Sequence, residues 1–228
     1  MNIRKHWKAW LVGAVAAAIV LVVGVPYAYI HFVEGDQPAA LSLNSGTSDS
    51  TSTSAVSADG SWKVSSGSQA GYRVHETLAG QSVTAVGRGT GVTGTLAISG
   101  TNVTTGSFTV DMTAIKSDRT QRDARFLSIV DTAKFPTATF AVTKPIALGS
   151  IPAAGKTMDA TATGNLTVHG VTKQISVPIK ATRSGDSIKV QGAITVTFAD
   201  YGVQAPNIAS FVKVDPSGQI EFLLTLTK

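Results

Sequence analysis

"SIKVQGAITVTF", residues 187–198, decides the fold. Ile188, Val190, Ile194, Val196 and Phe198 all fall on one parity, with Lys189, Gln191, Thr195 and Thr197 on the other. A period of two belongs to the β-strand, because successive side chains there point to opposite faces. A strand apolar on one face only fits an antiparallel sheet that covers a core on one side. The same alternation recurs in "SFTVDM" (107–112), "TATFAVT" (137–143), "QISVPIKA" (174–181) and "QIEFLLTL" (219–226). Glycine-bearing turns separate these runs: "ISGTN" at 98–102, "VHGVT" at 168–172 and "RSGDS" at 183–187, each suited to a tight hairpin. The expectation is an all-β domain of about eight or nine strands, whether a two-sheet sandwich or a closed barrel.

One stretch breaks the pattern. "RTQRDARFLSIV", residues 119–130, has Arg119, Arg122 and Arg125 at three-residue spacing, opposite Phe126, Leu127, Ile129 and Val130. This reads as one short helix with a basic side and an apolar side, the latter set against one end of the sheet. Ser117 or Asp118 is the expected N-cap, and Asp123 is placed to neutralise a neighbouring guanidinium. Pro136 bars helix and biases Phe135 toward extended backbone, so a strand begins at Thr137.

The chain has 228 residues, 43% hydrophobic and 14% charged, with a net charge of +5. Its first ten residues carry Arg4, Lys5 and Lys8, and no Asp, Glu, Lys or Arg follows from Ala9 until Glu34. Such a run is long enough to cross a bilayer, which takes about 20 apolar residues. Four segments are expected: a basic cytoplasmic stretch over 1–10, a transmembrane helix acting as signal anchor over 11–32, a linker over 33–60 and the domain over 61–228. Basic residues before the span place the N-terminus inside and the domain outside the cytoplasm, at the cell membrane. A cleaved signal peptide is the rival reading; its apolar region is usually about 7–15 residues. The linker is Ser/Thr-rich and lacks apolar periodicity, so it reads as a flexible tether of about 28 Å r.m.s..

The chemistry on offer is sparse. There is no cysteine, which excludes disulfides and thiolate metal sites. The domain histidines are His75 and His169, without a second ligand at metal spacing, and its only glutamates, Glu76 and Glu221, lie far apart in sequence. No G-x-S-x-G, H-E-x-x-H or phosphate loop occurs. The expectation is a protein that is not an enzyme and uses no metal or cofactor. A modest basic balance without interleaved aromatics gives no reason to expect nucleic acid.

Four motifs carry a resemblance. "QRDARFLSIVDTAKFPTATF" (121–140) resembles the signature of the YceI-like family, and "ATGNLTVHGVTKQISVPI" (162–179) is similar to that family's hairpin. "SWKVSSGSQAGYRVHE" (61–76) is similar to its opening strand and "ADYGV" (199–203) to a segment near its end. The resemblance implies an extended antiparallel lipocalin-like β-barrel with an apolar lumen holding a polyisoprenoid or similar long-chain amphiphile; the single transmembrane helix and linker read above would tether it. The expected lumen residues are Phe108, Val110, Met112, Phe140, Val142, Leu166, Val168, Ile194, Val196, Phe198, Phe222 and Leu224. Arg122, Arg125 and His169 are expected near the head group, Arg122 because it occupies the family's Arg-Asp position. Thr197-Phe198 stands where many members have Asn-Arg, so this chain lacks that arginine. The alternatives are a structural or stress-related envelope domain whose aromatic residues fill the barrel, and an enzyme acting on lipid with His169 as general base.

Overall fold

The computed structural model describes residues 37–43, 57–78, 80–150, 155–208 and 212–228, with the single positions Ala17 and Val20. The expected span over 11–32 therefore lies outside the described residues apart from those two positions, and the stretch over 1–10 lies outside them altogether. Among the described residues, no helix is long and apolar enough to cross a membrane.

The strands are β1 (Gly60–Val64), β2 (Gln69–Leu78), β3 (Gln81–Gly89), β4 (Val92–Ser99), β5 (Asn102–Asp111), β6 (Lys116–Ser117), β7 (Thr137–Val142) and β8 (Ile146–Ala147). They continue with β9 (Thr157–Val168), β10 (Val171–Ser184), β11 (Ser187–Thr197), β12 (Asn207–Ile208), β13 (Val212–Val214) and β14 (Ser217–Thr227). One α-helix, α1 (Thr120–Ile129), lies between β6 and β7. Every pairing is antiparallel, as the one-sided alternation requires.

The sheet closes on itself. β1 and β2 act as halves of one bent strand, because β14 pairs with both: Thr227 opposite Lys63 and Phe222 opposite Ala70. β3 and β4 bend in the same way, β3 pairing with β2 and β4 with β1. The order then runs through β5, β7, β9, β10 and β11 back to β14, giving an eight-stave barrel. Closure removes the open edges that an eight-strand sandwich would leave.

Two turn positions account for hairpins read in the sequence. His169 (φ 52°) and Gly170 (φ 74°) both adopt left-handed backbone between the paired Val168 and Val171. Gly100 (φ 57°) does the same between Ser99 and Asn102. Positive φ at both central residues, or at the first alone, makes the turns whose twist matches the flanking strands.

The barrel has a plugged end and an open end. At the plugged end Trp62 and Leu226 are each 0% exposed, and the Trp62 indole donates to the Ala58 carbonyl at 2.8 Å. At the other end α1 lies across the staves, with the Phe126 ring stacked on Tyr72 at 4.9 Å.

Two expectations are corrected here. The N-cap of α1 is Arg119, without a side-chain cap bond; Ser117 instead donates its N–H and its hydroxyl to Asp123, each at 2.7 Å. Asp123 is buried by that role and, among the described residues, pairs with no guanidinium, because adjacent helical residues point about 100° apart. The second concerns the linker. Residues 37–43 lie against the barrel's outer wall, where Leu41 is 6% exposed, and Ala58 is buried beneath Trp62. The cause is a polar cluster on that wall. Glu221 needs donors and Arg73 and Arg88 need acceptors, which the backbone of Pro38, Ala39 and Leu41 supplies.

Candidate functional site

The inward positions of the staves enclose a cavity of about 1040 Å³. That is at the upper edge of the roughly 300–1,000 Å³ typical of small-molecule sites. Its walls are overwhelmingly aliphatic and aromatic. Fourteen of the residues expected near the ligand line it: Phe108, Val110 and Met112 from β5 and the turn after it, Phe140 and Val142 from β7, and Leu166 and Val168 from β9. Ile194, Val196 and Phe198 follow from β11 and its end, Phe222 and Leu224 from β14, and Arg122 and Arg125 from α1. His169 is the exception. It sits on the outside of the hairpin turn, its Nδ1 3.1 Å from the Tyr201 carbonyl and its ring edge-on to Phe135. Its left-handed backbone and that one bond account for it as a turn residue.

Why is the lumen open when so many aromatic residues face it? Four of the large rings lie directly against a glycine on a neighbouring stave. A Cβ at Gly192 would come 2.5 Å from the Phe222 ring, one at Gly164 2.5 Å from Phe140, one at Gly94 2.7 Å from Phe108, and one at Gly87 2.4 Å from Tyr72. Glycine thus vacates the wall, the ring settles into the gap, and the axis of the barrel stays clear. A side chain of ordinary size at these positions would push the rings inward, and the barrel would fill as close-packed interiors do.

The open end carries the polar groups. Thr120, Gln121 and Arg125 of α1 and Gln204 of the loop between β11 and β12 line the cavity and are exposed, so the lumen reaches solvent beside the helix. Arg122 is already engaged: it pairs with Asp118 one turn back and with Glu76 of β2 at 3.2 Å. Burial alone would lower its proton affinity, but Asp118 and Glu76 outweigh burial and hold the guanidinium charged above its ordinary range. Among the described residues, Arg125 makes no ion pair or hydrogen bond. Inside the mouth, Tyr201 is 4% exposed and its hydroxyl has no partner among the described residues. Tyr72, Glu76 and Tyr201 were absent from the sequence-based site. Tyr72 and Glu76 share the inward parity of "AGYRVHE", and Tyr201 is the aromatic residue of "ADYGV", so both signals were present. Among the described residues no cluster of metal-ligating side chains occurs.

Tyr72 gives a pH-dependent readout of this end. Burial pushes its hydroxyl up from 10.0 to about 12, with Arg122 opposing and Asp123 and Glu76 adding to the rise. Between those values the folded chain keeps a proton that the unfolded chain has released. The contribution to stability is therefore whole below pH 10 and lost as pH rises toward 12. Tyr72→Phe should flatten this alkaline fall, measured as urea-unfolding free energy on both sides of pH 10. An identical slope in the variant would place the Tyr72 hydroxyl in water.

A closed antiparallel barrel with an apolar lumen and a helix at its mouth is a protein of the lipocalin-like fold class. Within that class the chain belongs to the YceI-like family, whose domain matches residues 62–226. The proteins named YceI of Salmonella arizonae and Salmonella newport are each 39% identical over 85 residues, covering 37% of this chain and 39% of theirs. The match thus spans about two-fifths of those relatives' length. A polyisoprenoid binding domain from Saccharophagus degradans shares the fold with a TM-score of 0.60 at 20% identity, over 73% of this chain and 97% of its own. BcnA of Burkholderia cenocepacia does so with a TM-score of 0.52 at 19% identity, over 68% and 95%.

Proposed function

We propose that this protein binds one polyisoprenoid or similar long-chain amphiphile in the barrel, tethered to the membrane by residues 11–32 with the domain outside the cytoplasm. The observation that carries the reading is the open, apolar lumen of about 1040 Å³; its shared fold with a polyisoprenoid binding domain supports the same ligand class. Ten buried methylenes contribute roughly 8 kcal/mol before the costs of association, enough for useful affinity without a polar anchor. The polar end of the ligand meets the mouth, where the Tyr201 hydroxyl and the Arg125 guanidinium are available. Arg122, held by two carboxylates, serves as a latch between α1 and β2 in this reading, so Arg122→Gln lowers stability and binding of charged and neutral ligands alike. The tether rests on the basic N-terminus and the uncharged run after it. The protein would carry or sequester its lipid without transforming it.

The test is a chain-length series of linear prenols offered to delipidated protein in competition with a fluorescent amphiphile. Affinity should rise with length by roughly fourfold per added methylene equivalent, the ratio that about 0.8 kcal/mol implies, and level off once the lumen is full. Affinity that ignores chain length would rule out burial of the chain in the barrel.

A further inference from the structure

Residues 37–43 run in a defined direction along the barrel. Gln37 donates from its side chain to Asp118 at 3.2 Å. Asp118 pairs with Arg122 of α1, so Gln37 sits beside the open end. From there the chain descends the outer wall. Arg73 donates to the Pro38 carbonyl at 2.7 Å, Arg88 donates to the Ala39 carbonyl, and the Leu41 N–H reaches Glu221 at 3.4 Å. Further on, Ser57 accepts from Lys228 and Ala58 lies under Trp62, at the plugged end. The strap therefore meets the barrel at its mouth and leaves toward the opposite end. Its fastening is deep: Leu41 is 6% exposed and Glu221 1%.

That direction matters because of what precedes it. Between the apolar run ending at 32 and the docked Gln37 there are only residues 33–36. The five Cα–Cα steps from 32 to 37 span at most about 17 Å, roughly twice the depth of one leaflet's polar layer, which is about 5–8 Å, so Gln37 is kept within about 12 Å of the head groups. The long Ser/Thr-rich segment follows the strap in sequence and cannot lengthen this connection. The end nearest the bilayer is the end where the lumen opens. Its rim carries Gln121, Arg125 and Gln204, hydrogen-bonding groups with an exposed guanidinium suited to head-group phosphates.

We propose that the docked strap fixes the mouth of the barrel against the surface of its own bilayer, with the α1 rim touching phospholipid head groups. This rests on the anchored, lipid-binding reading above and adds an orientation to it. Lipid then passes between leaflet and lumen along the rim without crossing water. A flexible tether of the whole linker would instead let the barrel tumble with either end toward the membrane.

The absence of cysteine makes the test clean. The full chain, carrying a bimane label on either Gln121→Cys at the rim or Asp186→Cys at the β10–β11 hairpin of the plugged end, is reconstituted into phosphatidylcholine–phosphatidylglycerol vesicles containing head-group nitroxide lipid. Quenching should be several-fold stronger at 121 than at 186. A ten-residue Gly-Ser insertion between Glu34 and Gly35 should erase the difference while leaving the melting temperature unchanged. Equal quenching at the two positions in protein that floats with the vesicles would overturn the orientation alone. Protein that fails to float would remove the anchor, and the orientation with it, while leaving lipid binding by the barrel to its own assay.

Discussion

Gly106→Phe should empty the barrel of lipid and leave the fold intact. Gly106 is buried on β5, faces the lumen, and has Leu96 as its cross-strand partner. A Cβ there would meet only side-chain atoms, Val142 at 3.0 Å, Phe108 at 3.4 Å and Leu96 at 3.7 Å. The backbone is free to accept the change, unlike Gly164, where the Ala141 carbonyl would lie 2.4 Å from a new Cβ. Glycine inside a strand also costs roughly 0.5–1 kcal/mol in conformational entropy, so the substitution should hold or raise the melting temperature. Its ring has no glycine to settle over and must project along the axis. Displacing even two methylenes of a bound chain forfeits about 1.6 kcal/mol, more than tenfold in Kd. Melting temperature and lipid content measured on the same preparation check this. Unchanged lipid content in a folded variant would mean the ligand lies outside the lumen.

Glu221→Ala should destabilise the domain by about 3–5 kcal/mol, the usual cost of removing one partner from a buried ionic cluster. Glu221 points outward from β14, yet the strap leaves it 1% exposed. One carboxylate oxygen accepts from Arg88 at 2.9 and 2.7 Å; the other lies 3.6 Å from Arg73 and accepts from Leu41. Without it two guanidiniums, with side chains 19% and 17% exposed, lose their counter-ion in a poorly hydrated place. Glu221→Gln keeps an acceptor for the strap and should cost less. Urea unfolding measures both. A loss for Glu221→Ala below about 1 kcal/mol would class the cluster with ordinary exposed pairs and would mean that the strap is not fastened there.

The barrel was legible in the sequence where the physics is local. Alternation in β5, β7, β10, β11 and β14 reports which face is buried, and Gly100, Gly170 and Gly185 mark turns that need positive φ. The choice between sandwich and barrel was not, because closure depends on β14 meeting both β1 and β2, a pairing that no local window contains. The site divides in the same way. The lumen residues followed from parity. An open lumen did not, since Phe140 or Phe222 alternates identically whether it fills the axis or lies against the wall. The signal lay in the other half of each pair, the inward glycines at 94, 164 and 192. The ion pairs were hidden for a further reason: Arg122 finds Glu76 across 46 positions of sequence, and adjacency to Asp123 pointed elsewhere. Composition also misled at residues 37–43, where backbone groups rather than side chains make most of the bonds to the wall.

The central claim is that the cavity of about 1040 Å³ holds a long-chain lipid. Organic extraction of the purified full-length chain, with mass spectrometry of the extract and quantitation against protein, tests it most directly. The expected result is one dominant isoprenoid or comparable long-chain amphiphile at close to one molecule per chain, lost in Gly106→Phe. Extracts that contain only the bulk membrane phospholipids, in equal amounts from the native chain and from Gly106→Phe, would contradict it.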